Sequence, residues 1–306
     1  MSNTCAAGLP FQTIGIVGCG LIGCSIAAAL KSRGFKGRLI GCGRPGANLE
    51  TAVNRRFVDA AETDWAKAAS ASDLIVVCTP VDQIVRDVRT LAGAARAGTL
   101  ITDAGSVKRA ICEPLSTGLP QGVVFVGSHP IAGSEKQGCA HASSELFEKR
   151  ICVVTPKSAA RSAVERLIGF WQALGATVVE MLPEDHDAAL AQTSHVPHVV
   201  AAALAACLGA SNRHLTAGGF QDTTRIASGD PELWAAILLG NASAVVDGVR
   251  DFSESLSAVA QAIEKGDKRA LIELLRCAKE NREAAIDARP GRVTDREGSE
   301  SGEMIE

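Results

Sequence analysis

Two short segments bring together side chains that can move protons. In ITDAGSVK (101–108), Asp103, Ser106 and Lys108 crowd a strand-to-helix turn; in VFVGSHPIAG (124–133), His129 stands between small residues and a proline. An imidazole with an ordinary pKa near ~6.5 accepts a proton at neutral pH, and a nearby hydroxyl can orient it or hold the group being deprotonated. A lone loop histidine is more often structural, but two polar loops ending neighbouring strands shift the balance towards shared chemistry. Further on, TSHVPHVV (193–200) offers Ser194, His195 and His198, and GGFQDTTRIASGDPELW (218–234) offers Arg225 and Trp234. His195 and His198 are close enough to resemble a metal pair, but no third ligand is apparent and no metal is expected. Arg225 sits among Thr and Ser, where it either binds a carboxylate or caps a helix.

A proton acceptor alone is half of a redox site, and the N-terminal segment supplies a place for the other half. GCGLIG (18–23) places Gly18, Gly20 and Gly23 in a G-x-G-x-x-G between the apolar run TIGIVG and the helical LIGCSIAAALKSRG. In that context the pattern reads as a dinucleotide turn: Gly18 for the bend, Gly20 for close approach of a pyrophosphate, Gly23 for helix-on-strand packing. The first-turn backbone around Leu21 and Ile22 then faces the phosphates. At the end of the second strand, where an acid usually holds the ribose, stand Gly43 and Arg44. A missing carboxylate beside a guanidinium favours NADP, with NAD possible; the alternative is that Arg44 is a solvated loop residue. Thr79 and Pro80, at the tip of VVCTPVDQI, are expected beside the nicotinamide ribose.

The elements that position these groups alternate. Strand-like segments at 13–18, 37–43, 73–80, 98–106, 123–130, 150–156 and 176–182 are interleaved with helical ones, which predicts a mostly parallel sheet covered on both faces. After Pro183 the chain is Ala/Leu-rich and helical. The fold class expected is therefore α/β, with a Rossmann-type doubly wound sheet over 1–182, an all-helical domain over 183–287 and a disordered polar tail over 288–306.

Composition narrows the partners. Net charge is -3, with basic residues spread along the 306-residue chain, so neither nucleic acid nor an anionic membrane is expected as partner. No apolar run is long enough to span a bilayer, and MSNTCAAGLPFQ lacks the layout of a signal peptide. The ten cysteines contain no C-x-x-C pair and sit mostly in apolar segments, which suits free thiols in the cytoplasm.

Taken together, GIVGCGLIGCSIA, TDAGSVK, GSHPIAGSEKQG, TSHVPHVV and FQDTTRIASGDPELW resemble, in order, the motifs of the prephenate/arogenate dehydrogenase family of tyrosine biosynthesis, over roughly residues 12–285. The resemblance implies oxidative decarboxylation of a cyclohexadienol, with hydride passing to NAD(P). It assigns His129 as the base and Ser106 as the residue that holds the substrate hydroxyl or orients His129. It assigns Arg225, His198, Ser194, Gly218 and Trp234 to the substrate. It also implies a homodimer formed through the helical domain, with Trp234 lining the partner's site. His198 is expected to favour the more anionic keto acid, prephenate, by offering a positive charge. The competing readings are another β-hydroxyacid-type dehydrogenase, expected to depend on a lysine in the helical domain, and a non-catalytic NADP-sensing protein.

Overall fold

The computed structural model describes residues 6–133, 136–157 and 159–288. The tail expected over 288–306 lies outside the described residues from position 289 onwards.

Short β-branched runs form the central strands because both faces of the sheet are buried. In chain order the first part contains β1 (Thr13–Val17), α1 (Leu21–Ser32), β2 (Arg38–Cys42), α2 (Ala47–Asn54), β3 (Ala60–Glu62), α3 (Trp65–Ala71), β4 (Leu74–Val77), α4 (Ile84–Ala92), β5 (Leu100–Asp103), α5 (Arg109–Leu115) and β6 (Val124–Phe125). The six strands pair in the order β3-β2-β1-β4-β5-β6, all parallel, with Val17 opposite Cys42 on one side and Val77 on the other. One face is covered by α1 and, later, α6 through residues such as Ile26, Leu30, Leu167 and Phe170. The other is covered by α3, α4 and α5 through Ala69, Val88, Leu91 and Ile111. This is the expected doubly wound arrangement.

Two details differ from the sequence reading. β3 has only three residues, Ala-Ala-Glu, with no alternation that would mark it; it exists because Ile40 and Cys42 of β2 offer it an open edge. The segment 123–130, expected as one strand, breaks at Val126. β6 stays with the large sheet, while β7 (Gly127–Pro130) turns into a second sheet with β8 (Ile151–Thr155) and β9 (Thr177–Glu180), antiparallel to β8. A Cβ at Gly127 would lie 2.4 Å from Thr155 Oγ1 and 2.6 Å from Cys112 Sγ, so the crossing needs glycine. His129 therefore sits on a strand, opposite Val153, and not in the loop that the sequence suggests.

Beyond α6 (Arg161–Ala173) and β9 the chain is helical: α7 (Pro183–Leu190), a π-turn over Ala191–His195, α8 (Val196–Ala206), α9 (Gly218–Thr224), α10 (Pro231–Gly240), α11 (Ala242–Glu264) and α12 (Lys268–Asp287). The last strand ends at Glu180 and α7 starts at Pro183, where the composition changes. The chain divides into two compact units, Met1–Gly248 and Val249–Glu306, and every candidate site residue lies in the first.

Candidate active site

The glycine turn between β1 and α1 does three separate jobs. Gly18 has φ +94°, and a Cβ there would lie 2.6 Å from the carbonyl oxygen of Cys78. A Cβ on Gly23 would sit 2.2 Å from the Gly18 carbonyl oxygen, so the helix could not pack as closely on the strand. Gly20 has open space where a Cβ would be, and as N-cap of α1 it offers no side chain to the first-turn N–H groups. An uncapped helix start facing open space is a ready anion cradle. At the end of β2, Gly43 also faces open space, and Arg44 is exposed with no ion pair among the described residues. Past the end of β4, the Thr79 hydroxyl is buried without a partner, and Pro80 is exposed. An open phosphate cradle, a free guanidinium and an orphaned hydroxyl along one sheet edge fit a dinucleotide.

Beside that edge, His129 is 8% exposed and tied into a chain of polar groups. Its Nδ1 lies 2.8 Å from His186 Nε2, and His186 Nδ1 lies 2.7 Å from Asp187 Oδ1. Asp187 is held in turn by the N-terminal backbone of α5: Lys108 N donates to Oδ1 at 2.7 Å and Arg109 N to Oδ2 at 2.9 Å. The carboxylate has no hydrogen to give, so His186 must donate from Nδ1 and accept at Nε2. His129 must then donate from Nδ1, which leaves its Nε2 as a free lone pair. The relay thus selects the tautomer a base needs. Burial, with lesser contributions from His186, Lys108 and His195, holds the His129 pKa well below the usual imidazole range, so it is neutral and able to accept at pH 7. Burial lowers His186 as well, against the opposing pull of Asp187.

Lys108 and Asp103 brace the relay from below. Both are fully buried and paired, Lys108 Nζ also donates to the Ser128 carbonyl at 2.9 Å, and Asp103 accepts from Ser128 N at 3.1 Å and Gly105 N at 2.8 Å. Trp171 Nε1 donates to Ser128 Oγ at 3.0 Å. These bonds pin the strand residue next to His129. Ser106 is half-buried on the same turn but makes no hydrogen bond to His129 among the described residues; the orienting partner is His186.

The helical part adds a second cluster. His198 stacks on Trp234, centroids 3.6 Å apart and planes 9° apart, and its Nδ1 is buried without a partner. Trp234, expected to line a partner's site, thus covers a histidine of its own chain. A Cβ on Gly229 would lie 2.4 Å from the Trp234 nitrogen, so glycine lets the backbone pass over the stack. Burial lowers the His198 pKa, so the ring is neutral near pH 7 and does not supply the positive charge expected of it. Ser194 is half-buried in the π-turn, while Arg225 and Gly218 are exposed, and no hydrogen bond or ion pair joins either to the histidine relay among the described residues. His186, Asp187 and Asn241 were missed by the sequence reading. The signal for the first two was their spacing: Pro183, His186, Asp187 and Leu190 form the buried stripe of α7, and a His-Asp pair on such a stripe needs a partner. Among the described residues, no group of three or more His, Cys, Asp or Glu could hold a metal ion.

Comparison with known proteins places the chain among relatives of a common activity. The family model for the prephenate dehydrogenase nucleotide-binding domain matches residues 26–180, and that for the prephenate dehydrogenase dimerization domain matches 182–277. Prephenate dehydrogenase of Bacillus subtilis is 33% identical over 280 residues, covering 89% of this chain and 76% of that protein. Cyclohexadienyl dehydrogenase of Zymomonas mobilis is 31% identical, covering 86% and 92%. Among solved structures, prephenate dehydrogenase of Aquifex aeolicus with hydroxyphenyl propionate and NAD+ superposes with a TM-score of 0.85 at 31% identity, covering 91% of this chain and 99% of that one. Synechocystis arogenate dehydrogenase superposes with a TM-score of 0.76 at 33% identity, covering 89% and 99%. With the nucleotide cradle, the proton relay and both family models on one chain, the protein belongs to the prephenate dehydrogenase family.

Proposed function

We propose that the protein oxidises and decarboxylates prephenate or arogenate, and that His129 is the catalytic base. The observation that carries this is the relay from Asp187 through His186, which leaves His129 Nε2 unprotonated and aimed away from its anchor. His129 takes the 4-hydroxyl proton of the substrate, and the C–O bond becomes a carbonyl as the hydrogen on the same carbon departs with its electron pair. A bound nicotinamide supplies the acceptor for that pair. Loss of the ring carboxylate as CO2 aromatises the ring, giving 4-hydroxyphenylpyruvate or tyrosine. The positive charge arriving on His129 is spread over His186 towards the Asp187 carboxylate, so the proton is held without a free counterion. Ser106 holds the substrate hydroxyl, since its own hydroxyl is not spent on His129.

The remaining assignments rest on position. Gly18, Gly20, Leu21, Ile22 and Gly23 hold the pyrophosphate, and Thr79 and Pro80 flank the nicotinamide ribose. Gly43 and the unpaired Arg44 accept a 2′-phosphate, so NADP is preferred over NAD. Arg225 binds a substrate carboxylate, with Ser194, His198, Gly218 and Trp234 around the same end of the substrate. The cofactor domain covers 1–182, and the helical domain 183–287 binds substrate and pairs two copies. The nine described cysteines are all free, which fits a reducing cytoplasm.

The test is an absorbance assay at the reduced nicotinamide band with prephenate or arogenate and NAD or NADP. Turnover is expected with at least one combination and faster with NADP. No turnover in any of the four refutes the reading and leaves the NADP-sensing alternative.

A further inference from the structure

We propose that His195 donates a hydrogen bond from Nε2 to the carboxylate of the substrate's three-carbon side chain, and that Asn241 is the positioning residue that makes it a donor there. This deepens the functional reading above and rests on it. Asn241 is buried at the junction of α10 and α11. Its Nδ2 donates to the Asp187 carbonyl oxygen at 2.7 Å, and a carbonyl can only accept, so the amide nitrogen and not the oxygen faces that side. The same nitrogen lies 3.1 Å from His195 Nδ1, which therefore accepts, and the imidazole proton must sit on Nε2.

Three further observations point that N–H at a ligand. His195 is 1% exposed, yet among the described residues no hydrogen-bond partner is found for Nε2. This nitrogen is not among the side-chain atoms that are both fully buried and without a partner, so it is open to an incoming acceptor, which would pair it. Burial pushes its pKa down to about 4, so near neutrality the ring is a neutral donor that does not compete with His129 for the substrate's proton. Finally, His195 stands edge-on to Trp234, with centroids 6.3 Å apart, and the face of Trp234 covers His198. The donor thus joins the cluster placed around the carboxylate end of the substrate. Because Asn241 also holds the backbone of Asp187, one side chain sets the tautomer of the carboxylate donor and the position of the residue that anchors the base.

The inference is tested on the full chain labelled with 15N-histidine, using two-bond 15N–1H spectra at pH 7 while each product, 4-hydroxyphenylpyruvate and tyrosine, is added in separate titrations. His195 is expected as the Nε2–H tautomer, with that proton moving downfield as product binds. The variant His195→Phe is expected to raise substrate KM about tenfold with kcat within threefold and cofactor KM unchanged. His195→Gln, whose amide can present an N–H near the same point, is expected to return KM to within threefold of the parent. An Nδ1–H tautomer, an Nε2–H that ignores product while His129 signals respond, or equal KM in the two variants overturns the inference. If neither His129 nor His195 responds to product, the functional reading itself fails, and this inference with it.

Discussion

The relay makes His186 the most informative residue to change. In His186→Phe a flat aromatic ring remains, larger than imidazole by one atom, but the acceptor 2.8 Å from His129 Nδ1 is lost. His129 then has a buried N–H with no partner, and nothing favours the Nδ1–H tautomer over the Nε2–H form that cannot act as base. A buried donor that loses its partner forfeits about 1–3 kcal/mol, and 1.4 kcal/mol is a tenfold change in an equilibrium. That range converts to roughly 5- to 150-fold, so kcat is expected to fall by about 10- to 100-fold. Cofactor affinity should be unchanged, because among the described residues no hydrogen bond joins Gly18, Gly20 or Gly23 to α7. In His186→Gln, a side-chain carbonyl near the old Nε2 position can still accept from His129, and kcat should recover to within about fivefold of the parent. Steady-state kinetics, cofactor titration by fluorescence and a thermal melt of each variant are sufficient. A folded His186→Phe protein with kcat within twofold of the parent, or a His186→Gln variant no better than it, refutes the tautomer argument.

His129→Asn should lose at least about a hundredfold in kcat while still binding cofactor normally, as expected of a missing base; near-normal kcat would remove it from the chemistry. Arg225→Ala should raise substrate KM by about 10- to 100-fold with little change in kcat, the worth of one charged hydrogen bond, and an unchanged KM would move the carboxylate contact elsewhere. Arg44→Ser should raise KM for NADP about tenfold or more and leave that for NAD nearly constant; equal effects on both would make Arg44 a solvated loop residue. For stability, His195 has a folded pKa of about 4 against about 6.5 unfolded, so the unfolded chain binds more protons between those values. Its contribution, about 3 kcal/mol, is present above pH 6.5 and lost as pH falls towards 4. Because burial lowers His129, His186 and His198 as well, the measurement is denaturant unfolding of the parent against His195→Phe at pH 7 and pH 4.5, and a difference between the two proteins that does not change with pH would contradict the burial of a neutral ring.

The cofactor turn was legible because its constraints are local. Gly18, Gly20 and Gly23 are fixed by the shape of one bend, and three letters of sequence report it. His129 and Lys108 were visible as types out of place among small and apolar residues, but their partners were not. The partner of His129 lies 57 residues away and that of the Lys108 backbone 79 residues away, in a helix whose text, EDHDAAL, reads as ordinary surface. Only the knowledge that its stripe faces inward turns His186 and Asp187 from solvated residues into a relay. Asn241 had no signal at all, since a single Asn in LLGNAS is a common helix break. The strand break at Val126 was hidden for a different reason. Both halves are apolar or small, and what separates them is the close crossing of Thr155 and Cys112, which belongs to the packing and not to the segment.

The π-turn at Ala191–His195 carries a consequence of its own. A π-turn holds one residue more than the α-helical ladder would, and each residue of an α-helix turns its neighbour's direction by about 100°. Removing a single residue from this turn would rotate the helix that follows it by about 100° relative to α7, and Pro197, which has no N–H to donate, would leave the merged ladder one bond short. It would also swing His198 away from Trp234, and His195 from Asn241, while His186 and Asp187 stayed where they are. Such a deletion changes no side chain around the relay and still ruins the alignment, so the reading frame of this helix is itself a functional element, stored as a length and not as a side chain.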